Sequence, residues 1–173
     1  PFGLMNLTGP PIALHSTDYL ADQLNTPRYN GAQNLRDLVE NNAIWPIEDE
    51  TEYTQEQYTT VSERLLGVVF GVAAQIVEED ICSMEDVDRG AKVGLRWARG
   101  PFEMMNQIGV GEAYRMASAY QSLAGDAWVL PSFFKDQSDA GTNWDFSYVD
   151  SSTEDGIATI TINRPEAMNA LNE

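Results

Sequence analysis

Apolar positions along this chain fall mostly at helical spacing. Thr54 and Gln57 form a capping-box pair ahead of a run that reaches about Glu79, which predicts one long helix. Its second half, Leu65-Leu66-Gly67-Val68-Val69-Phe70-Gly71-Val72-Ala73-Ala74, is apolar on every side. Such a helix is expected to be central and buried, with Gly67 and Gly71 allowing another helix to come close. A second helix starts at Ser83, with Asp86 three residues on, and turns Met84, Val87, Ala91 and Leu95 inward. A third runs from about Glu112 to Gly125 and buries Ala113, Met116, Ala117, Tyr120 and Leu123. Two weaker helices come earlier, one opening at Pro10-Pro11 with Ala13, Leu20 and Leu24, the other carrying Leu35, Leu38 and Val39. The expected fold is all-α.

The segments between read differently. Residues 48–57 are acidic and poor in apolar side chains, a linker pattern, and residues 136–155 are rich in Asp, Ser, Gly and Thr and read as loop. From Gly156 the period changes: Ala158, Ile160 and Ile162 alternate with Thr159, Thr161 and Asn163, which predicts a strand. Arg164-Pro165 ends it, and a helix is expected to begin near Glu166. A lone strand before the start of a helix is not a foldable unit, so the chain is expected to continue beyond both ends.

A short repeat organises the rest. Pro1-Phe2-Gly3-Leu4-Met5-Asn6-Leu7-Thr8-Gly9 matches Pro101-Phe102-Glu103-Met104-Met105-Asn106-Gln107-Ile108-Gly109 at an offset of 100, with five of nine positions identical. Each copy precedes an amphipathic helix, which favours duplication over coincidence. Four regions follow: 1–47 as the tail half of a first repeat, 48–57 as the linker, 58–150 as a second repeat, and 151–173 as the start of something else.

Charge narrows the partners. Twenty-seven acids against ten bases give −17, which excludes a general nucleic-acid binder and disfavours an anionic membrane surface. Eight of the ten bases are Arg; only Lys92 and Lys135 are Lys. Acids spread along the whole chain suit high salt, where screening weakens self-repulsion, so a halophilic setting stands ahead of an ordinary acidic cytosolic one. The single cysteine, Cys82, fits a reducing cytoplasm and reads as a small buried hydrophobe. The thirteen-residue run Leu65–Val77 is short of the about twenty residues a bilayer span needs, so no membrane span is expected. His15 is the only histidine, without a matched acid, and no metal cluster is expected. The four Trp residues (45, 97, 128, 144) read as core or interface anchors.

Several segments carry a family likeness. Glu63-Arg64-Leu65-Leu66-Gly67-Val68-Val69-Phe70, Ile76-Val77-Glu78-Glu79, Met84-Glu85-Asp86-Val87-Asp88 and Gly100-Pro101-Phe102-Glu103-Met104-Met105 resemble the C-terminal domain of 3-hydroxyacyl-CoA dehydrogenases. Arg28-Tyr29 and Leu35-Arg36-Asp37-Leu38-Val39-Glu40 fall where that family has its closing helix. The tail, Gly156-Ile157-Ala158-Thr159-Ile160-Thr161-Ile162-Asn163-Arg164-Pro165-Glu166-Ala167-Met168-Asn169-Ala170-Leu171-Asn172, resembles the opening of an enoyl-CoA hydratase (crotonase) domain. The likeness implies two small helical domains of the 6-phosphogluconate-dehydrogenase C-terminal kind, with an orphan C-terminal strand. It also implies a fused fatty-acid β-oxidation enzyme, with a Rossmann domain upstream and a crotonase domain downstream.

By the same resemblance NAD and an acyl-CoA serve the parent protein, and none is expected on this chain, which lacks Gly-x-Gly-x-x-Gly. The family keeps an Asn where this chain has Glu63; a carboxylate cannot donate an amide hydrogen bond, so the second repeat reads as a non-catalytic copy. Pro101, Phe102 and Asn106 fall in a motif that faces the substrate cleft, although a helix-start turn with a buried Phe explains Pro-Phe equally well. Ala167 and Met168 align with positions that contact CoA in crotonases. Related single domains dimerise, so a homodimer, or a tandem pair imitating one, is expected. The competing expectation is a non-enzymatic helical interaction module.

Overall fold

The structure is a computed structural model that describes residues 2–47, 52–124, 128–165 and 168–170. Among these the chain is mostly helical: α1 (Phe2–Thr8), α2 (Pro10–Gln23), α3 (Gln33–Glu40), α4 (Gln55–Glu78), α5 (Met84–Gly94), α6 (Pro101–Ile108), α7 (Val110–Ala124) and α8 (Ser132–Ala140). A two-stranded antiparallel sheet, β1 (Val149–Glu154) with β2 (Ile157–Ile162), ends it. The chain divides into two compact units, Pro1–Thr60 with Ser122–Val129, and Val61–Gln121 with Leu130–Glu173.

In the first unit α1 turns into α2 at Gly9, whose φ of 97° suits a residue without Cβ. The α2–α3 pairing rests on Asp18. Its carboxylate accepts from Arg36 Nη1 (2.9 Å) and Nη2 (2.5 Å) and from the Gly31 amide (3.1 Å). Leu35 of α3 is buried, and the Arg28 guanidinium lies 5.1 Å from the centre of the buried Trp128 ring.

The second unit has the larger core. Phe70, Ala73 and Ala74 of α4 are buried, as are Phe102 and Met105 of α6, Ala113 and Ala117 of α7 and Phe134 of α8. Trp144 sits among aromatic rings, 5.3 Å from Phe102 and 5.8 Å from Phe134. A Cβ on Gly67 would come 2.5 Å from the Met116 carbonyl oxygen, so α4 and α7 cross with backbones almost touching. The close approach expected of Gly67 is therefore made inside the second unit, to α7.

Both forecast helix starts are present. Thr54 Oγ1 accepts from the Gln57 amide and Gln57 Oε1 from the Thr54 amide, while Ser83 Oγ accepts from the Asp86 amide. Three readings need correcting. Residues 136–155 are not all loop: they include the end of α8 and all of β1, which supplies the expected strand with a partner. The signal is Asp155-Gly156, both at positive φ (51° and 79°), the two-residue hairpin turn that matches strand twist. Leu95 is 63% exposed, and α4 is only partly covered, with Val61 and Leu65 out in solvent. Cys82 is half-buried at a groove rather than enclosed.

Helix α4 is longer than the thirteen-residue run. An 18-residue window in it has mean hydropathy 1.4, so by length and composition it could cross a membrane, although its glycine face is taken by α7. The tail after β2 closes as a turn, with Arg164 N–H donating to Asn169 Oδ1 and Asn169 N–H to Arg164 O. The expected helix start at 166–167, Gly125 and the Leu123 side chain lie outside the described residues, as do residues 48–51 of the expected linker, whose last three residues, 55–57, already belong to α4.

Candidate functional site

The densest polar construction lies where α6 begins. Gly100 precedes Pro101 and has no side chain to cap the helix, so its first amides need an acceptor from elsewhere. Asp88 of α5 supplies it. Its Oδ1 accepts from the Phe102 amide (2.8 Å) and Oδ2 from the Glu103 amide (2.9 Å), and the residue is only 2% exposed. A Cβ at position 100 would run into the Asp88 side chain, which restricts that position to glycine. Glu103 turns back to accept from the Gly100 amide (3.2 Å) and from Lys92 Nζ (2.7 Å).

Burial pushes the Asp88 carboxyl above its ordinary value, against the pull of the two amides. For Glu103 burial pushes the same way, but Lys92 and the Gly100 amide outweigh it and hold the carboxyl below its usual range. Two neighbouring acids are thus driven apart by their partners.

The proposed cleft residues separate here. Phe102 is fully buried. Asn106 spends both ends of its amide on Trp144, donating from Nδ2 to the Trp144 carbonyl (3.0 Å) and accepting at Oδ1 from the Trp144 amide (2.7 Å). Of the three, only Pro101, itself largely buried, lines a groove. It is an apolar groove of about 460 Å³ on α4 and α5, lined by Val69, Val72, Ile76, Val87, Leu95 and Trp97 among others.

The first unit carries the same device. Asn6 Nδ2 donates to the Trp45 carbonyl (2.9 Å), Asn6 Oδ1 accepts from the Trp45 amide (2.9 Å), and the Phe2 and Trp45 rings lie 4.6 Å apart. Gly9 and Gly109 end the two short helices with nearly identical backbones, φ 97° and ψ 124° against φ 93° and ψ 129°. The sequence match at 1–9 and 101–109 pointed to the asparagines; Trp45 and Trp144, at an offset of 99, fell outside it.

Glu63, on α4, binds Arg115 Nη2 at 2.8 Å, and Arg115 also pairs with Glu112 at 2.6 Å. The two carboxylates, Glu112 foremost, raise the guanidinium above its ordinary value. The Glu63 charge is thereby balanced locally, and Arg64 beside it lies over Tyr120 at 5.4 Å. Met168 is 92% exposed in the closing turn, and Ala167 lies outside the described residues. His15 is exposed, 6.3 Å from Tyr19. Among the described residues no three His, Cys, Asp or Glu side chains gather to hold a metal.

Residues 61–143 match the 3-hydroxyacyl-CoA dehydrogenase, C-terminal domain family, a little under half of the chain. The matched stretch takes in most of α4 and all of α5 to α8, with the Asp88 cap and the Glu63–Arg115 pair inside it; it includes Asn106 and stops one residue short of Trp144. A search of curated proteins finds no match.

Proposed function

We propose that this chain is the helical, substrate-side region of an NAD-dependent 3-hydroxyacyl-CoA dehydrogenase acting in fatty-acid β-oxidation, fused to an enoyl-CoA hydratase region. The observation that carries the reading is the family match over residues 61–143. The paired Asn–Trp devices and the shared Gly9 and Gly109 turns support the further reading that residues 1–47 and 58–150 are two copies of one helical domain. The tail residues 156–172 support the hydratase fusion by likeness alone. A cytoplasmic, high-salt setting agrees with one cysteine and a charge of −17.

Catalysis belongs to other parts of such a protein. NAD does not fit the residues here: the sequence has no glycine-rich dinucleotide turn, and Asn106, the amide nearest the proposed cleft, is committed to Trp144. Glu63 cannot donate as an amide does, and it is engaged by Arg115. The chain's role is to shape and support a cleft that a dinucleotide domain completes, with acyl-CoA as the substrate and a homodimer or tandem pair as the assembly. Titrating NADH and acetoacetyl-CoA against the isolated chain tests this: oxidation at background is expected, and turnover would overturn it. A coding sequence without a dinucleotide-binding domain next to this region would defeat the family reading and favour a helical interaction module.

A further inference from the structure

The two Asn–Trp devices sit in helix sets that match element by element but not in what covers them. In the second unit Phe102 and Met105 are fully buried. Their counterparts in the first, Phe2 and Met5, are 51% exposed and half-exposed. On α7 the face made by Ala113, Met116 and Ala117 is buried, and α4 lies on it with Gly67 against the Met116 backbone. The same positions on α2 are Ala13, Ser16 and Thr17, flanked by Ile12 and Leu20 at 61% and 42% exposure, and Ser16 is open to solvent. The small side chains that let a helix approach α7 closely have small counterparts on α2, and Phe2 and Leu20 offer apolar area beside them.

We propose that the face formed by α1 and α2 is a seat for an apolar helix pair of the same chemistry as α4–α5, with a small residue where it crosses α2. The argument rests on reading the two helix sets as copies: the occupied copy shows what the open copy receives. Within the first unit Thr17 is half-buried beside Gly31 and the Phe2 ring lies against Trp45 at one edge, while Phe2, Ile12, Ser16 and Leu20 remain exposed.

The shared residues suggest the probe. Residues 52–100 end at Gly100, which precedes the Pro-Phe that begins α6; placing a second copy of 52–100 directly ahead of Pro1 recreates that junction on α1. In the full chain so extended, helicity by circular dichroism should rise, and amide exchange of Ala13 to Leu20 should slow at least about tenfold. Trp45 emission should move to the blue. Gly67→Leu in the added copy alone should return the α2 amides to their original rates. Ser16→Arg, a change at an exposed position, should do the same while leaving the unextended chain folded.

The idea fails if helicity does not rise, if it rises without slowing exchange in α2, or if Ser16→Arg makes no difference. It fails too if the unextended chain forms a dimer in sedimentation that protects α1 and α2, since the occupant would then be a second copy of the whole chain. The NADH titration reads the dehydrogenase assignment alone, so either reading can fall without the other.

Discussion

Asn106 and Trp144 hold each other in both directions, side-chain amide to backbone carbonyl and backbone amide to side-chain oxygen, across 38 positions of sequence. One side chain thus ties the segment after α8 to the middle of α6. Asn106→Ala would strand a buried amide and carbonyl, and the unfolding free energy should fall by about 2–4 kcal/mol, counting one to two for each orphaned group. Trp144 emission should shift to the red. Asn106→Asp keeps the acceptor and loses the donor, so its cost should lie between. Asn6→Ala should cost less, because Trp45 is only half-buried where Trp144 is buried.

Asp88 makes the second unit's pH dependence a contest of opposite signs. Its raised folded pKa means that its contribution is full below 3.8 and is lost as pH rises through the folded value. Glu103 and Glu112, both lowered, contribute above 4.5 and lose it as pH falls through theirs. In the wild type the two trends partly cancel on acidification. In Asp88→Asn the cancelling group is gone, so urea midpoints should drop more steeply as pH falls from about 6 towards 4. A variant with the wild-type slope would contradict the assignment.

Two glycines in helices should respond oppositely to alanine. At Gly67 a Cβ meets the Met116 carbonyl, backbone that cannot swing aside, so Gly67→Ala should cost about 1–3 kcal/mol. At Gly90 a Cβ meets nothing within 4 Å, and Gly90→Ala should gain up to about 1 kcal/mol from helix propensity. Thermal unfolding of the pair reads both.

Glu63→Asn places an amide at this position, at the cost of one ion pair with a half-exposed Arg115 that keeps Glu112. Stability should change by less than about 1 kcal/mol, and NADH oxidation should stay at background. Activity appearing in this variant would mean that the chain holds more of the catalytic apparatus than proposed.

Raising KCl from 0.1 M towards 2 M, conditions in which the Debye length falls from about 10 Å to about 2–3 Å, should raise the unfolding midpoint steadily. At −17 the compact state repels itself, and screening relieves it. A midpoint that falls with salt would contradict the halophilic setting.

Helix starts were the most legible part of the chain, because a cap is local: Thr54 with Gln57, and Ser83 with Asp86, are written within four residues. What was missed depended on distance. Asp88 occupies the inward stripe of α5 between Met84 and Ala91, yet a search for apolar residues passes over an acid. Its reason lies in another helix, at the uncapped Gly100. Trp144 and Asn106 likewise meet only in the folded chain. The hairpin was legible in Asp155-Gly156, but Asp150, Ser151 and Ser152 looked like loop because β1 is exposed throughout and shows no alternation. Exposure of Leu95 and Val61 depends on what covers a helix from outside, which periodicity does not state.

The hairpin also bears on how copies of this protein meet. It is tied to α5 by the Ser147 amide donating to Glu85 and by Arg89 donating to the Asn163 carbonyl, while its strand residues are almost all open to water, with one unpaired edge on each strand. Asp150, Glu154 and Asp155 line one arm and its tip, so two molecules approaching edge to edge meet like charge first. That guard is long-ranged only in dilute buffer. Salt shortens its reach, and at high salt Ile157 and Ile160 on the opposite arm, 69% and 73% exposed, are left with less charge to keep a neighbouring edge away.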